Sequence, residues 1–497
     1  MSEAEAVAAC IAESSLGPIQ GKVKNDVVLF SGVPYAAAPV GDLRFKAPQA
    51  HAGWQEVRAA TKFSPAAPQL PGGGMTDASP VRWDEDCLYL NICTPALDNR
   101  KRPVLFWIHG GAYRSGQGAV PWYDGAEFAK NGDVVVVSIN YRLGALGFAN
   151  LKRFGEAYAN SGANGTLDQI KALQWVNDNI EKFGGDPKQI TIAGESAGAF
   201  SVGTLMASPE SEHLIHRAIP QSGAGHHTMP AATAEIVLDQ LLKVLEVEDL
   251  EGLLAVDAET LLHAQAKVEE IAAKGGIPEL SGVMPFYPSE ENAAIPVSPI
   301  EAFKAGAGGA IDVLVGTNKD ESSLFFTPKQ LDTSDKVEAS VQRLGGDQSL
   351  IAVYQEKFPD ATPYELAVQI QTDYSFRVPA VRMAEARLNA SASGRTFMYM
   401  FAWESRAGYL KSTHALEIPF VFNNLSKAGV NAFIGPGELP QEVANEMHQC
   451  WIDFIVTGEP GWSQYDESSR INKWFDSQSQ LVNDPDDGKR QAWQGIR

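Results

Sequence analysis

Two runs of this sequence are almost wholly apolar, RPVLFWIHGG at 102–111 and DVVVVSINYR at 133–142. A strand with one face in water alternates apolar and polar side chains, so continuous runs favour strands buried on both faces of a parallel sheet. The segment at 166–186 has a helical pattern instead, with an apolar stripe that ends at Gly184-Gly185. This alternation predicts an α/β fold in which helices flank a mostly parallel central sheet.

Further strands are predicted at 27–36, 87–95, 189–194, 218–223, 312–318 and 396–403. Long helical stretches are predicted at about 231–274, 298–305, 336–358 and 379–391. These stretches are too long for simple crossovers, so we interpret them as a helical lobe over the active-site end of the sheet. The lobe would be inserted at about 225–310 and 325–395, as cap or regulatory regions. No linker separates it, which predicts a single domain over residues 1–497.

The chain has 497 residues and a formal net charge of −21, which argues against nucleic acid and anionic membrane surfaces as partners. No apolar run approaches the length that crosses a bilayer, and the N-terminus lacks the basic and apolar regions of a secretory signal. The four cysteines form no C-x-x-C pair. We therefore expect a reduced, cytoplasmic protein. We also expect it to be a monomer or weak homo-oligomer. The segment 68–80 is expected to be a flexible surface loop.

A serine lies between two glycines in ITIAGESAGAF (190–200), where a strand pattern ends and a helix pattern begins. A tight turn that contains serine by chance would look the same over five residues. At a strand-to-helix junction, however, glycines on both sides let the chain pack closely around a residue in strained backbone geometry. Ser196 would then lie near a helix N-terminus, which favours developing negative charge. We predict Ser196 as a nucleophile.

A second glycine-containing stretch, WIHGGAYRSG (107–116), follows a buried strand upstream of the serine. Glycines in such a place can also serve only to turn the chain. Combined with the serine elbow, the loop at Gly110, Gly111 and Ala112 is suited to direct backbone N–H groups at an oxyanion, with the N–H of Ala197 as a further donor.

A serine nucleophile needs a histidine base and an acid that orients it, and in this type of elbow both follow the serine. Only three histidines lie well beyond it. His263 and His448 fall in helical patterns and are expected on helix surfaces, whereas His414 lies in a loop after a predicted strand. The acid should end an earlier strand, where DVLVGTNKDESS offers Asp320 and Glu321, and the pattern does not choose between them.

The other histidines give no metal site. His109 adjoins the glycine loop and is expected to shape it. His226 and His227 are adjacent in sequence, point in different directions in most conformations, and have no partner at metal-ligand spacing. We predict no metal and no cofactor.

Longer motifs make the chain recognisable: GVPYAAAPVGDLRFKAP (32–48), EDCLYLNI (85–92), NYRLGALGF (140–148), FGGDPKQITIAGESAG (183–198), NKDES and THALEIPFVF. They resemble the type-B carboxylesterase family, which includes cholinesterases, liver carboxylesterases and bacterial para-nitrobenzyl esterases. The resemblance runs from about Leu16 to Trp474 and is closest to the bacterial branch. It implies the α/β-hydrolase fold.

Carried over by matching motifs, the resemblance implies Ser196 as nucleophile, His414 as base and Glu321 as the acid. The oxyanion donors that it implies are the N–H groups of Gly111, Ala112 and Ala197. It also implies two supporting residues, Ser222 and Glu195, beside Gly110 of the glycine loop. Ser222 would help to hold the acid, and Glu195 would lie near the leaving side of the substrate or serve only as a hydrogen-bond partner. Two structural ion pairs are implied, Arg44 with Glu85 and Arg142 with Asp168.

Three positions depart from the family pattern. Ala112 replaces a glycine, so its Cβ takes space beside the acyl group while its N–H still donates. Cys87 matches a cysteine that is disulfide-bonded in secreted relatives, but only the distant Cys10 precedes it, which implies a free, buried thiol. Ser322 stands where the family usually has glycine, which puts the local geometry behind Glu321 in question.

These residues predict a serine carboxylesterase that hydrolyses short- to medium-chain carboxylic esters through an acyl-enzyme. A lipase or amidase would use the same triad. A non-catalytic, cholinesterase-like binding protein is the third alternative, although that class would be expected to lack the nucleophile. Four aromatic residues near the motifs are expected to line an apolar substrate pocket or else to pack in the core: Tyr113, Phe325, Phe326 and Phe376.

Overall fold

Fourteen strands are present in the parts of the chain that this computed structural model describes, residues 10–72, 81–280 and 283–496. They are β1 (Ile11–Ser14), β2 (Gly17–Gln20), β3 (Lys22–Lys24), β4 (Val27–Pro34), β5 (Arg58–Ala59), β6 (Tyr89–Thr94), β7 (Arg102–Ile108), β8 (Val135–Ile139), β9 (Gly185–Glu195), β10 (Arg217–Gln221), β11 (Asp312–Asn318), β12 (Thr396–Phe401), β13 (Asn472–Phe475) and β14 (Gln480–Val482). The predicted loop at 68–80 lies mostly outside the described residues.

Eleven of these strands form one sheet in the order β14-β13-β12-β11-β10-β9-β7-β8-β6-β4-β3, and β1, β2 and β5 form a small second sheet. From β8 to β13 every neighbouring pair is parallel. The pairings at the two edges, β8–β6–β4–β3 and β13–β14, are antiparallel. All residues of β8 and all but one of β7 are buried. The predicted parallel α/β sheet is therefore confirmed.

Helices cover both faces of this sheet or extend beyond it. Their bounds are Ala126–Gly132, Gly144–Phe148, Asn164–Asn179, Ala197–Ala207, Ala231–Leu245, Leu250–Ala255, Ala258–Ala273, Pro299–Lys304, Ser334–Arg343, Gln348–Lys357, Pro363–Thr372, Val378–Asn389, Ile418–Val421, Val430–Ile434, Gln441–Thr457 and Lys489–Ala492. A π-helical turn, Asp373–Arg377, joins two of them. None of the helices in the described part of the chain is long and apolar enough to cross a membrane.

The helical stretches predicted from the sequence are more divided than expected. The stretch at 231–274 contains three helices, and the stretch at 336–358 contains two, which are separated at Gly345-Gly346. Helix Pro363–Thr372 was not predicted, although Thr362 and Glu365 form a capping box at its start.

The inserted helices divide between two apolar cores. Buried side chains of the helices between 231 and 273, and of helix Val378–Asn389, belong to the same cluster as those of the central strands. Helices between 334 and 372 instead share a cluster of their own, which includes Leu350, Tyr364 and the C-terminal Trp493. Only this second group forms a distinct lobe with its own core.

Both implied ion pairs are present. Arg44 Nε lies 2.9 Å from Glu85 Oε2. The Arg142 guanidinium binds both carboxylate oxygens of Asp168 at 2.8 and 2.7 Å, and this pair is buried. The four cysteines are free, and Cys87 is buried as expected.

Candidate active site

Ser196 occupies a strained turn between β9 and helix Ala197–Ala207. Its φ is +56° and its ψ −124°, outside the regions that L-residues normally adopt. Neighbouring backbone approaches so closely that a Cβ on Gly198 would lie 2.1 Å from the carbonyl oxygen of Ile108. Ser196 is partly exposed although Glu195 and Ala197 on either side of it are buried. The local sequence thus produces the predicted elbow, with the hydroxyl-bearing residue accessible at the carboxyl end of β9.

His414 and Glu321 meet at this same edge of the sheet. His414 Nδ1 lies 2.6 Å from Glu321 Oε2, and both residues are buried. The other carboxylate oxygen of Glu321 accepts a 2.7 Å hydrogen bond from the backbone N–H of Asn318 at the end of β11. Glu321 therefore holds one nitrogen of the imidazole while its own position is fixed by the strand end.

Asp320 is directed away from the imidazole. Its carboxylate accepts hydrogen bonds from Gln369 Nε2 at 2.8 Å and from the N–H of Ser412 at 3.3 Å. Ser322 does not disturb the acid, because its φ is not positive and its N–H donates to Thr372 Oγ1 at 3.1 Å. The glycine usual in the family at this position is therefore not needed here.

Glu195 contacts the second nitrogen of the same imidazole. Its Oε1 lies 3.1 Å from His414 Nε2, and both side chains are almost fully buried. Burial raises the pKa of Glu195 well above its ordinary value, and His414 opposes this increase. Burial also lowers the pKa of His414, but Glu195 and Glu321 outweigh it, so the pKa of His414 lies above its ordinary value. The buried carboxylate acts on the imidazole directly.

A third buried carboxylate, Glu417, was not predicted as part of the site. It accepts hydrogen bonds from Asn318 Nδ2 at 2.7 Å and from Gln221 Nε2 at 3.1 Å. Burial and the nearby charge of Glu321 raise the pKa of Glu417 to about 7. The available signal was its place three residues after His414, on the following turn of the chain.

The loop after β7 holds backbone N–H groups that have no internal acceptor. The N–H groups of Gly111, Ala112 and Ala197 donate no hydrogen bond to any residue within the described ranges. Gly111 and Ala112 both have positive φ, +113° and +54°. At Gly110 a Cβ would lie 2.6 Å from the carbonyl oxygen of Glu195 and 3.0 Å from Ser196 Cβ. The loop thus lies directly against the serine elbow.

The prediction that Ser222 helps to hold the acid was wrong, because its hydroxyl makes no hydrogen bond to Glu321. Ser222 follows β10 with φ +59°, and its buried hydroxyl has no hydrogen-bond partner among the residues that the structure describes. The side-chain hydrogen bonds of Glu321 go to Asn318 and His414 instead.

Two of the four predicted pocket aromatics lie beside His414. The ring centroids of Phe376 and Phe325 are 4.8 and 5.1 Å from that of the imidazole. Phe376 is buried, while Phe325 is 50% exposed, so the pair extends from the interior to the surface.

The other two aromatics occupy different places. Tyr113 is 1% exposed, its hydroxyl is 3.2 Å from Ser201 Oγ, and its ring contacts Phe148, so it is a core residue. Phe326 packs against the separate core of the helices between 334 and 372. Tertiary packing buries the ring of Tyr113 and holds the partly buried Phe326 against that separate core, and neither ring is in contact with His414 within the described residues.

Three further histidines occupy different environments. His263 is exposed on its helix as predicted, but His448 is buried, with Nδ1 2.7 Å from the carbonyl oxygen of Val421 and its ring on Phe128. The prediction of a surface position for His448 was wrong because another helix covers that side. His109 stacks on Tyr141 and contacts the carbonyl oxygen of Gly110 at 2.8 Å, so it helps to hold the glycine-containing loop after β7, as expected.

The combination of this sheet, this elbow and this histidine–carboxylate contact is found in serine hydrolases of the α/β-hydrolase fold, and the chain falls within that class. Within it, the chain belongs to the carboxylesterase family, whose model matches residues 8–484. It is therefore a carboxylic ester hydrolase, as the motif resemblance implied.

Two curated relatives are similar over nearly the whole chain. The para-nitrobenzyl esterase of Bacillus subtilis is 37% identical over 97% of this chain and 98% of its own length. The phenmedipham hydrolase of Pseudarthrobacter oxydans is 36% identical over 91% of each chain. Among solved structures, carboxylesterase EST55 of Geobacillus stearothermophilus has a TM-score of 0.87 at 39% identity, covering 97% of this chain and 100% of its own.

Proposed function

We propose that Ser196 is the nucleophile of a serine carboxylesterase, with His414 as its general base and Glu321 as the residue that orients the base. The observation that carries this proposal is the 2.6 Å contact between His414 Nδ1 and Glu321 Oε2. With Nδ1 bound to Glu321, Nε2 is the nitrogen that would take the serine proton. In this structure Nε2 lies 3.1 Å from Glu195 Oε1, at the sheet edge where Ser196 occupies its strained turn.

In the acylation step, His414 Nε2 takes the hydroxyl proton of Ser196 as the serine oxygen attacks the ester carbonyl carbon. The tetrahedral intermediate collapses, the bond to the alcohol oxygen breaks, and His414 returns the proton to the leaving alcohol. Water then attacks the acyl-enzyme with the same base, which releases the carboxylic acid and restores the serine. Atoms and protons balance without a cofactor.

The negative oxygen of each tetrahedral intermediate would accept hydrogen bonds from the N–H groups of Gly111, Ala112 and Ala197. None of the three has an acceptor among the residues that the structure describes, which supports this role. Each well-placed donor of this kind is worth on the order of 3 kcal/mol in the transition state. Because the donors are backbone groups on a fixed loop, they require little reorganisation during the reaction.

The substrates we propose are short- to medium-chain carboxylic esters. Phe376 and Phe325 give the site an apolar wall beside His414, which suits an uncharged acyl or alcohol group. Two similar proteins are named as ester hydrolases, one a para-nitrobenzyl esterase and the other a carboxylesterase. An aromatic wall would also suit the substrates of a lipase or an amidase. Long-chain esters and anilides distinguish these two alternatives.

We further propose that the enzyme acts in the cytoplasm as a monomer or weak homo-oligomer, forms one folding domain and does not bind nucleic acid. The net charge of −21 and the four free cysteines support this setting. Size-exclusion chromatography with light scattering and a cell fractionation would test the oligomeric state and the location.

The direct test is hydrolysis of para-nitrophenyl esters from acetate to palmitate by the wild type and by Ser196→Ala, with a para-nitroanilide series in parallel. We expect turnover that peaks at short to medium acyl chains and that the substitution abolishes. A peak at long chains would identify a lipase, and preference for the anilides an amidase. Folded wild type without activity on any substrate would contradict the proposal and favour the binding-protein alternative.

A further inference from the structure

Phe376, one of the two aromatic residues beside His414, lies in a π-helical segment of the backbone. Phe376, whose ring lies 4.8 Å from that of His414, belongs to the π-helical turn Asp373–Arg377. A π-helical turn is a rare interruption of α-helix and is frequently found at functional sites. The interactions that hold this turn therefore bear on where Phe376 points.

One end of the turn is fixed by Arg377, which is 1% exposed. Its guanidinium binds the carboxylate of Asp486, with Nη2 at 2.7 Å and Nε at 3.0 Å from Oδ2. The same guanidinium donates to the carbonyl oxygen of Tyr399 in β12 at 3.2 Å and to Asn472 Oδ1 in β13 at 2.8 Å. Asp486, from the C-terminal segment, thus completes an anchor between the turn and the sheet.

The other end of the turn is fixed by Asp373, which also binds the C-terminal segment. Lys489 Nζ lies 2.9 Å from Asp373 Oδ2. The hydroxyl of Tyr354 donates to the same carboxylate and accepts a 2.8 Å hydrogen bond from Trp493 Nε1. All four side chains are buried. Asp486 and Lys489 of the C-terminal segment therefore bind the two ends of the turn that carries Phe376.

The turn also connects to the residue after the acid. Thr372, immediately before the turn, accepts a 3.1 Å hydrogen bond from the N–H of Ser322. A shift of the turn would consequently move two groups beside the imidazole, the Phe376 ring and the short helix that begins with Glu321.

We propose that the C-terminal segment 484–496 is a positioning element for substrate selectivity, which fixes Phe376 beside His414 through the Arg377–Asp486 and Asp373–Lys489 ion pairs. This inference rests on the esterase function proposed above. Removing one partner of a buried ion pair leaves an uncompensated charge that draws water or a new partner. The turn would relax, and the wall that contacts the longer group of the ester would move.

The test uses Asp486→Asn in the full-length chain, with kcat and KM measured on para-nitrophenyl acetate, butyrate and octanoate. We expect the ratio of kcat/KM for octanoate to that for acetate to change by about tenfold, the scale of altered apolar contact in a pocket, with the change mainly in KM. Inhibition rates with short- and long-chain alkyl phosphonates should change in parallel.

Two further variants separate positioning from general destabilisation. Asp133→Asn is the matched control, because Asp133 pairs with the buried Arg102 at 2.6 Å and makes no hydrogen bond or ion pair to the π-helical turn or to segment 484–496 among the described residues, and it should leave the chain-length ratio unchanged. In a Phe376→Ala background, Asp486→Asn should have no further effect on the ratio, since the ring that it positions is gone. If Asp486→Asn does not fold, Lys489→Gln tests the other end of the turn.

A folded Asp486→Asn variant with an unchanged ratio overturns the inference. So does an equal loss on all esters, or an effect that persists at full size in the Phe376→Ala background. A wild type without activity and without Ser196 labelling by phosphonates would refute the proposed function itself, so the two failures are distinguishable.

Discussion

His414 Nε2 lies 3.1 Å from Oε1 of Glu195, the residue that immediately precedes the serine of the elbow. The imidazole is therefore held between two buried carboxylates, since Nδ1 is 2.6 Å from Glu321. Glu321 is the carboxylate that we propose to orient the ring, as the acid of a serine-hydrolase triad does. The other faces the nitrogen proposed to take the serine proton, so it directly affects how readily that nitrogen is protonated.

Substitution Glu195→Gln should shift the pH dependence of activity. Glu195 raises the pKa of His414, and the base works only when it is neutral, so removing the charge moves the acid limb of kcat/KM to lower pH. An opposite charge at this distance shifts the pKa of its partner by about 1 to 3 units, so the acid limb should move by a similar amount. A pH series on para-nitrophenyl acetate measures the shift, and an acid limb that does not move would contradict the direct electrostatic effect.

Substitution Glu321→Gln should lower kcat by about 10⁴-fold, because an amide stabilises neither the required tautomer of His414 nor its protonated form. Asp320→Asn is the matched control. Asp320 is buried beside Glu321 but binds Gln369 and Ser412 instead of the imidazole, so its loss should cost about tenfold at most, the scale of a neutral hydrogen bond. The reverse order of effects would assign the acid to Asp320.

Substitution Gly110→Ala should lower the rate by about 10²-fold while leaving the enzyme folded. The new Cβ would lie 2.6 Å from the carbonyl oxygen of Glu195 and 3.0 Å from Ser196 Cβ, so the oxyanion loop or the elbow must move. Misplacement of reacting groups by about 1 Å costs on the order of 10²-fold in rate. Gly252→Ala, in helix Leu250–Ala255, is the control, and equal activity of the two variants would show that the loop tolerates the shift.

Glu417 should make stability depend on pH. Burial raises its pKa to about 7 from an ordinary 4.5, so the folded chain binds this proton more tightly than the unfolded chain. The resulting stabilisation is complete below pH 4.5 and is lost as pH rises through about 7. For the full difference this amounts to about 3 kcal/mol in the free energy of unfolding.

Urea unfolding of the wild type and of Glu417→Gln across this pH range measures the effect. The wild type should lose stability relative to the variant as pH rises from acid to neutral. A constant difference between the two proteins at every pH would mean that the carboxyl of Glu417 does not titrate in this range.

The parts of this site that could be predicted depend on short-range patterns. Glycine at 194 and 198 with serine between them fixes the elbow, because only small residues fit that close packing. The near-continuous apolar runs of β7 and β8 identify strands buried on both faces. The choice of Glu321 over Asp320 came from the family motif and agrees with the observed contact.

The errors concern residues whose environment comes from distant parts of the chain. His448 has the period of a helix surface, but residues more than twenty positions away cover it. Tyr113 and Phe326 are aromatic and adjacent to motifs, yet they pack into two different cores. The buried hydroxyl of Ser222 makes no hydrogen bond to the acid or to any other described residue.

The sequence by itself determined the class of fold, the elbow and the catalytic residue types, since backbone conformation and burial period are written in neighbouring residues. Only the tertiary structure decided which carboxylates face His414 and which aromatic rings stand beside it. Glu195 reaches the imidazole from the end of β9, and Asp486 of the C-terminal segment binds Arg377 in the turn of Phe376 from more than one hundred residues away. Such contacts arise from packing between elements, and no local pattern encodes their distance.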